Sequence, residues 1–358
     1  MRRIVRCAAG AMGLVVVMLT GCATQPAPVL LRPARLLATL PPRHNTPDGM
    51  CLTADGSVIV SVPNVNNDSA APQIMRLTPD NELVDFCDPP GHPATGRAYP
   101  FGICVDPATG DLYYADLQWF AGKEPNWLSR VIRIPVHGSR PGKPEVFAEG
   151  MVVANAVAIH DGYLYTTDTT MMPGTYPLIT GVYRFKLGKS GYKVARPLDR
   201  DPHLVATILT HNPEVPFGAD GLCFDKAGNM YIGNFADGTI HKVTFDAAGK
   251  PITPRPAPIW ASSPGMRSCD GLFFDHRTDT IYVADSLANA VQAVSLDGTV
   301  KLYAQDPTDT GAAGRLDQPC EVLIRGDELI ISNFDMPIPG GVNQTFETPN
   351  GLSVIDMK

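Results

Sequence analysis

The chain has 358 residues, 44% hydrophobic and 18% charged, with a formal net charge of −7. That apolar content is enough for a sizeable core, while the acidic balance argues against nucleic acid as a partner, because phosphates need a cationic face. Glycine (33) and proline (34) are abundant without a collagen period, which favours many short elements joined by tight turns.

The first segment reads as a targeting sequence. Arg2, Arg3 and Arg6 precede AAGAMGLVVVMLTGC, an apolar run too short to span a bilayer well. Leu19-Thr20-Gly21-Cys22 at its end resembles a bacterial lipoprotein box. The resemblance implies that residues 1–21 are removed as a signal peptide and that Cys22 is lipidated as the new N-terminus. The protein would then be held at the cell envelope through its lipid, facing the periplasm, and Ala23 after Cys22 favours the outer membrane. Losing three arginines takes the charge from −7 to −10 (−7 − 3). Residues 22–35, which include ATQPAPVLLRPAR, read as a Pro-rich tether.

One pattern then recurs six times across residues 36–358. A marked residue precedes an apolar run, a Gly- or Asp-rich turn and a second strand, as in MCLTADGSVIVSV, ICVDPATGDLYYAD, VAIHDGYLYTTD, LCFDKAGNMYIGN, LFFDHRTDTIYVAD and VLIRGDELIISN. Further strands follow, such as QIMRLT, RVIRIPV, GVYRFKL, GTIHKVTF and AVQAVSL. The marked residues are Asp48, Phe101, Asn155, Asp220, Asp270 and Glu321, spaced by 53, 54, 65, 50 and 51. A period near 50 with about four strands per unit predicts an all-β fold, a six-bladed β-propeller. GLSVIDM at the end is expected to join the last blade to ARLLATL near the start, fastening the circle. No stretch carries a convincing helical period.

In a propeller the innermost strand of each blade lines the central channel, so the marked residues should ring one mouth. Four carboxylates and one amide would then converge there, and so much like charge in a confined space is costly unless compensated. A hard divalent cation, calcium first, suits that oxygen set, whereas zinc and copper do not. Taken singly, each Asp-Gly also fits a plain turn. A second set, Val62, Asp116, Asp168, Asn234, Asp285 and Asn333, ends the second strands. Strand direction is taken to place it on the opposite side of the blade array, in turn-capping roles. The loops at 117–130, with Trp119 and Phe120, and at 169–181, with Met171 and Tyr176, would share that far face.

Arg97 and Arg267 stand just before marked residues, where either can grip a substrate oxygen or pair with the ring acids; pairing is favoured for Arg267. His44 reads as an exposed loop residue. Six cysteines remain besides Cys7 and Cys22, without a CxxC pair, so a zinc ribbon is not expected; Cys51, Cys104 and Cys223 share one repeat position and read as buried thiols. There is no GxSxG and no HExxH.

The repeat pattern across the whole propeller resembles the senescence marker protein (regucalcin) and gluconolactonase superfamily. GADGLCFDKAGNMYIGNF at 218–235 carries the sharpest likeness, ANAVAI at 154–159 looks like that family's Asn-bearing opening, and TPDGMCL occupies its first-blade ligand place. The resemblance implies Asp48, Asn155 and Asp220 as ligands of calcium or another divalent cation. Asp270 and Glu321 are additional carboxylates, and Phe101 stands where many relatives offer a second amide. With Arg97 and Arg267, Phe101 makes up the expected substrate-binding set. The implied activity is metal-assisted hydrolysis of a small-molecule lactone or ester, with Asp220 either activating water or attacking directly. Two other readings of the scaffold stay open: a non-catalytic, metal-stabilised propeller that binds a ligand or protein, and a lyase or condensing enzyme like strictosidine synthase.

Overall fold

In five of the six repeats the second strand is buried along its whole length or nearly so, as in Val58–Val62, Leu112–Asp116 and Met230–Asn234. Continuous apolar runs such as VIVSV suit strands covered on both faces, and here the two covers are the neighbouring blades. The computed structural model describes residues 31–67, 69–122, 126–307 and 311–358. The signal segment, Cys22 and most of the tether lie outside the described residues.

Each blade is built on four antiparallel strands, which run in sequence order from the axis outward in all but blade six, whose outer strand comes from the start of the fold. The inner strands are Met50–Leu52, Pro100–Val105, Ala154–His160, Ala219–Phe224, Leu272–Asp275 and Pro319–Arg325. The first hairpin of blades one, two and four turns on Gly56, Gly110 and Gly228, all with φ near +80°, where a side chain would be strained. Blade three has the long spacing of 65 because its chain detours before the fourth strand. Tyr192–Lys193 from that detour pairs in parallel with Glu145–Met151, adding a fifth strand to blade two. No helix of the described residues is long and apolar enough to cross a membrane.

The circle closes as the termini foretell. Arg35–Thr39 is the outer strand of blade six, antiparallel to Gly351–Asp356, with Arg35 opposite Val354 and Thr39 opposite Gly351. Val58, Val60 and Met75 of blade one pack with Leu323, Ile330 and Leu352 of blade six in one buried cluster, so the seam is as apolar as the other interfaces. Near the axis, side-chain hydroxyls latch one blade to the next. Ser61 Oγ donates to Phe101 O at 2.6 Å, Thr169 Oγ1 to Ala219 O at 2.7 Å and Ser286 Oγ to Pro319 O at 2.5 Å. Ser332 Oγ donates to Asp48 O at 2.6 Å, crossing the seam from blade six to blade one.

Ser332→Ala leaves the buried Asp48 carbonyl without this donor, which costs about 1–2 kcal/mol. Urea titration should show a lower midpoint with an unchanged m-value; a midpoint equal to wild type would mean the latch contributes nothing to closure.

Candidate functional site

A local irregularity sets the ring. In blades two, three, four and six, two residues of the inner strand oppose one residue of the second strand, a bulge at the same place each time. The pairing runs Ala219↔Asn234 and then Leu222↔Ile232, so Asp220 and Gly221 face Gly233 alone. A bulge re-aims side chains, and here the first of the two residues turns toward the channel mouth. The second must be small, because inner strands meet backbone to backbone. A Cβ added at Gly102 would lie 2.6 Å from Asn155 O and 2.7 Å from Ala156 Cα.

The same register corrects blade six. Pro319 pairs with Asn333 and Glu321 with Ser332, which makes Cys320 the counterpart of Asp220 and Glu321 the counterpart of Gly221. The ring is therefore Asp48, Phe101, Asn155, Asp220, Asp270 and Cys320, all of which line one cleft. Glu321 is not a ring member as expected; its carboxylate fills the space that Gly271 leaves by lacking a Cβ, and it borders the opposite mouth of the channel. Matching on residue chemistry caused the slip. In every other blade the ring residue stands two before the first apolar residue of the strand, as in D-G-L, and C-E-V obeys the same rule.

The second set is also misplaced by the sequence reading. In an antiparallel hairpin the end of the second strand lies beside the start of the first, so both sets occupy the same face. Asp116, Asp168 and Asp285 hold the segments that lead into the inner strands. Asp116 Oδ1 accepts from Tyr99 N at 2.8 Å and its Oδ2 from Arg130 Nε at 2.7 Å. Asp168 accepts from Val152 N and Val153 N, and Asp285 from Arg267 N and Ser268 N. Their role is to position the ring. For the same geometric reason Trp119 and Phe120, expected on the far face, form part of the cleft wall.

Neither arginine reaches the site. Arg97 Nη2 donates to Asn64 O at 2.9 Å and Ala70 O at 3.0 Å, with its guanidinium 5.4 Å from the Tyr99 ring. Arg267 is exposed, and its side chain donates to Gly340 O rather than pairing with a ring acid. Both are scaffold residues, outside the lining of the cleft. His44, expected to be exposed, is buried and bonds Asn64 at 3.2 Å. Cys51 and Cys223 are buried and Cys104 partly so, and all six described cysteines are free.

Among the described residues the cleft is lined by no Arg, Lys or His, so the ring acids meet their own repulsion without a paired cation. Burial pushes Asp48 up to about 7, even though Gly49 N–H and the Cys320 thiol lower it. Asp220 is raised well above the ordinary carboxylate value by burial first and by Asp48 second. Asp270 is raised likewise by burial, then by Asp220 and Asp48, and Glu321 by burial, then by Asp48 and Asp220. Two short bonds moderate this: Asn155 Nδ2 donates to Asp220 Oδ1 and Ser286 Oγ to Asp270 Oδ2, each at 2.8 Å. Three carboxylates with an amide among them form a hard-oxygen set suited to calcium or a similar divalent ion.

A separate acidic group lies at the edge of blade six. Oxygens of Asp317, Asp335 and Glu347 come within 4.8 Å of one another, the single such trio among the described residues. Asn343 Nδ2 donates to Asp317 at 3.0 Å and to Asp335 at 2.9 Å, and Asn350 Nδ2 to Asp335 at 2.8 Å, so amides already serve it. It lies outside the cleft.

No family model matches the chain, and no curated protein matches it in sequence. Solved structures do. The PQQ-bound aldose sugar dehydrogenase of Streptomyces coelicolor is similar over 90% of this chain and 96% of its own, at 15% identity and a TM-score of 0.60. Regucalcin of Agrobacterium tumefaciens, a calcium-binding protein, matches over 91% and 93% at 14% identity and a TM-score of 0.57. A gluconolactonase of Xanthomonas campestris matches over 93% and 99% at 14% identity and a TM-score of 0.55. The chain shares their fold. Its neighbours thus include gluconolactonase- and regucalcin-like propellers, at identities that speak to architecture alone.

Ring electrostatics set a pH signature. Asp48 has a folded value of about 7 against an ordinary 3.8, so its contribution to stability is complete below pH 3.8 and is lost as pH rises toward 7. Asp168, raised to about 6 by burial, acts in the same direction. In chelator, the protein should therefore melt at a higher temperature at pH 5 than at pH 7.5, by an amount on the order of a few kcal/mol in stability. Calcium at pH 7.5 should reduce the difference by the share that belongs to Asp48 and leave that of Asp168. Equal melting temperatures in chelator would mean that the ring charges are neutralised by some other means.

Proposed function

We propose that this propeller is a divalent-cation-dependent hydrolase of lactones or small esters, with calcium as the ion. The observation that carries this reading is the meeting of Asp48, Asn155, Asp220 and Asp270, from four blades, at the base of one cleft with no cation among its described lining residues. The lactonase and calcium-binding proteins among the structural neighbours agree with it. The PQQ of the aldose sugar dehydrogenase is itself a polycarboxylate, and a cleft whose described lining holds acids and no bases does not suit it.

Asp48, Asn155, Asp220 and Asp270 would hold the ion, with the ring side chains drawing inward once their repulsion is offset. When bound, calcium supplies an electrophile for the substrate's carbonyl oxygen and stabilises the negative charge that develops there. Asp220 takes a proton from the attacking water as the new C–O bond forms. It returns that proton to the departing alkoxide as the ester bond breaks, giving a hydroxy acid or an acid and an alcohol. Burial and Asp48 raise the Asp220 carboxyl in the metal-free protein, and a bound cation would lower it again. Asn155 Nδ2, at 2.8 Å from Asp220 Oδ1, fixes its orientation. Attachment at the bacterial envelope through a lipid on Cys22 belongs to the same proposal and rests on Leu19-Thr20-Gly21-Cys22.

Purified protein should hydrolyse an aryl ester or a simple lactone, lose that activity in chelator and recover it with calcium. Asp220→Ala should fall by at least about a hundredfold and stay there at any calcium concentration. Hydrolysis that ignores both chelator and this substitution would sink the reading. A melting temperature that falls on chelation, with no hydrolysis of any lactone or ester, would instead point to a metal-stabilised binding protein.

A further inference from the structure

The walls of the cleft contrast with its base. Six aromatic rings run in unbroken contact around it: Phe334, Phe101, Phe120, Trp119, Phe217 and Phe235. Phe101 lies 5.6 Å from Phe334 and stacks on Phe120 at 5.6 Å and 16°. Trp119 meets Phe120 edge-on at 5.1 Å and Phe217 at 5.4 Å, and Phe217 meets Phe235 at 6.4 Å. These rings come from blades two, four and six, so the belt is built by the fold and not by one loop. The space they bound is small, about 70 Å³.

Polar side chains above the ring are few, and their oxygens are already engaged. Thr169 Oγ1 donates to Ala219 O and Ser286 Oγ to Pro319 O and Asp270, while Gln318 Oε1 accepts from Met336 N–H. A sugar lactone carries hydroxyls around its ring, and most would face carbon here, each losing its water without gaining a partner. An alkyl or aromatic substituent loses nothing polar and buries its whole surface.

We propose that the substrate is a lactone or ester with an apolar body, aromatic or alkyl, its carbonyl directed at the acidic ring and its carbon skeleton against the aromatic belt; polyhydroxylated sugar lactones are discriminated against. This rests on the hydrolase reading for the word substrate, and on the belt alone for the ligand class.

The two are separable because Trp119 stands in the wall. The chain has three tryptophans, and Trp127 and Trp260 lie outside the cleft. In full-length protein with calcium, Trp127→Phe combined with Trp260→Phe leaves Trp119 as the sole indole reporter of binding. The probes are non-hydrolysable δ-lactams, one series with lengthening alkyl substituents and one polyhydroxylated. Hydrolysis of the matching δ-lactones is followed with wild-type protein. Kd should fall roughly fourfold with each of the first added methylenes, and kcat/KM should rise in parallel. The polyhydroxylated lactam should bind at least about tenfold more weakly than the propyl-substituted one. Preference for alkyl lactams without any lactone hydrolysis upholds the ligand class and rejects the hydrolase. Hydrolysis with equal or better use of the sugar lactone keeps the hydrolase and overturns the inference, as does a Kd indifferent to chain length or no binding by either series.

Discussion

The inner strands crowd the axis until their backbones touch, and this contact governs the rest of the molecule. It demands a residue no larger than alanine at the second bulge position, as Gly49, Gly102, Ala156, Gly221 and Gly271 attest. It also fixes the bore of the channel, and so brings the residue just before each small one toward a common centre. Asp48, Asp220 and Asp270 are near one another because the backbones beneath them are, and no local attraction assists. Burial raises the proton affinity of all three, and for Asp220 and Asp270 the neighbouring carboxylates raise it further. Glu321 is the one exception to smallness, tolerated because Gly271 next to it leaves a void.

Much of the architecture was legible because it repeats. Six hairpins at a near-constant interval, with a stray strand at each end, allow few closed solutions, and Arg35–Thr39 pairs with Gly351–Asp356 as the pattern requires. What failed to show was register. Glu321 attracted attention by its charge, whereas the bulge counts positions and selects Cys320. The acids ending the second strands were assigned to the wrong face for want of one antiparallel step. With them went Trp119 and Phe120, whose loop was read as remote from the ring it covers. Arg97 and Arg267 were close in sequence to the ring but were taken up by carbonyls of neighbouring loops, a distinction that depends on where those loops fold and not on residue type.

The ring and the belt are complementary. An apolar wall lowers the local dielectric and so magnifies both the repulsion among free carboxylates and the grip of those carboxylates on an ion. The same wall keeps water scarce around a polarised carbonyl. Asp116, Asp168 and Asp285 contribute at one remove: by clasping the segments that enter the inner strands, they hold the ring at a fixed height below the aromatic rim.

Closure by Arg35–Thr39 has a consequence for biogenesis. Its partner Val354 lies 319 residues downstream of Arg35 (354 − 35), so this strand stays unpaired until blade six has been synthesised. Contacts of such separation form late and slowly. Until then blade one lacks the neighbour that covers its apolar face and blade six lacks its outer strand, and such surfaces and edges invite strangers. Completion of the toroid covers that face and supplies that strand together, so the earlier blades stay adhesive until the sixth is made.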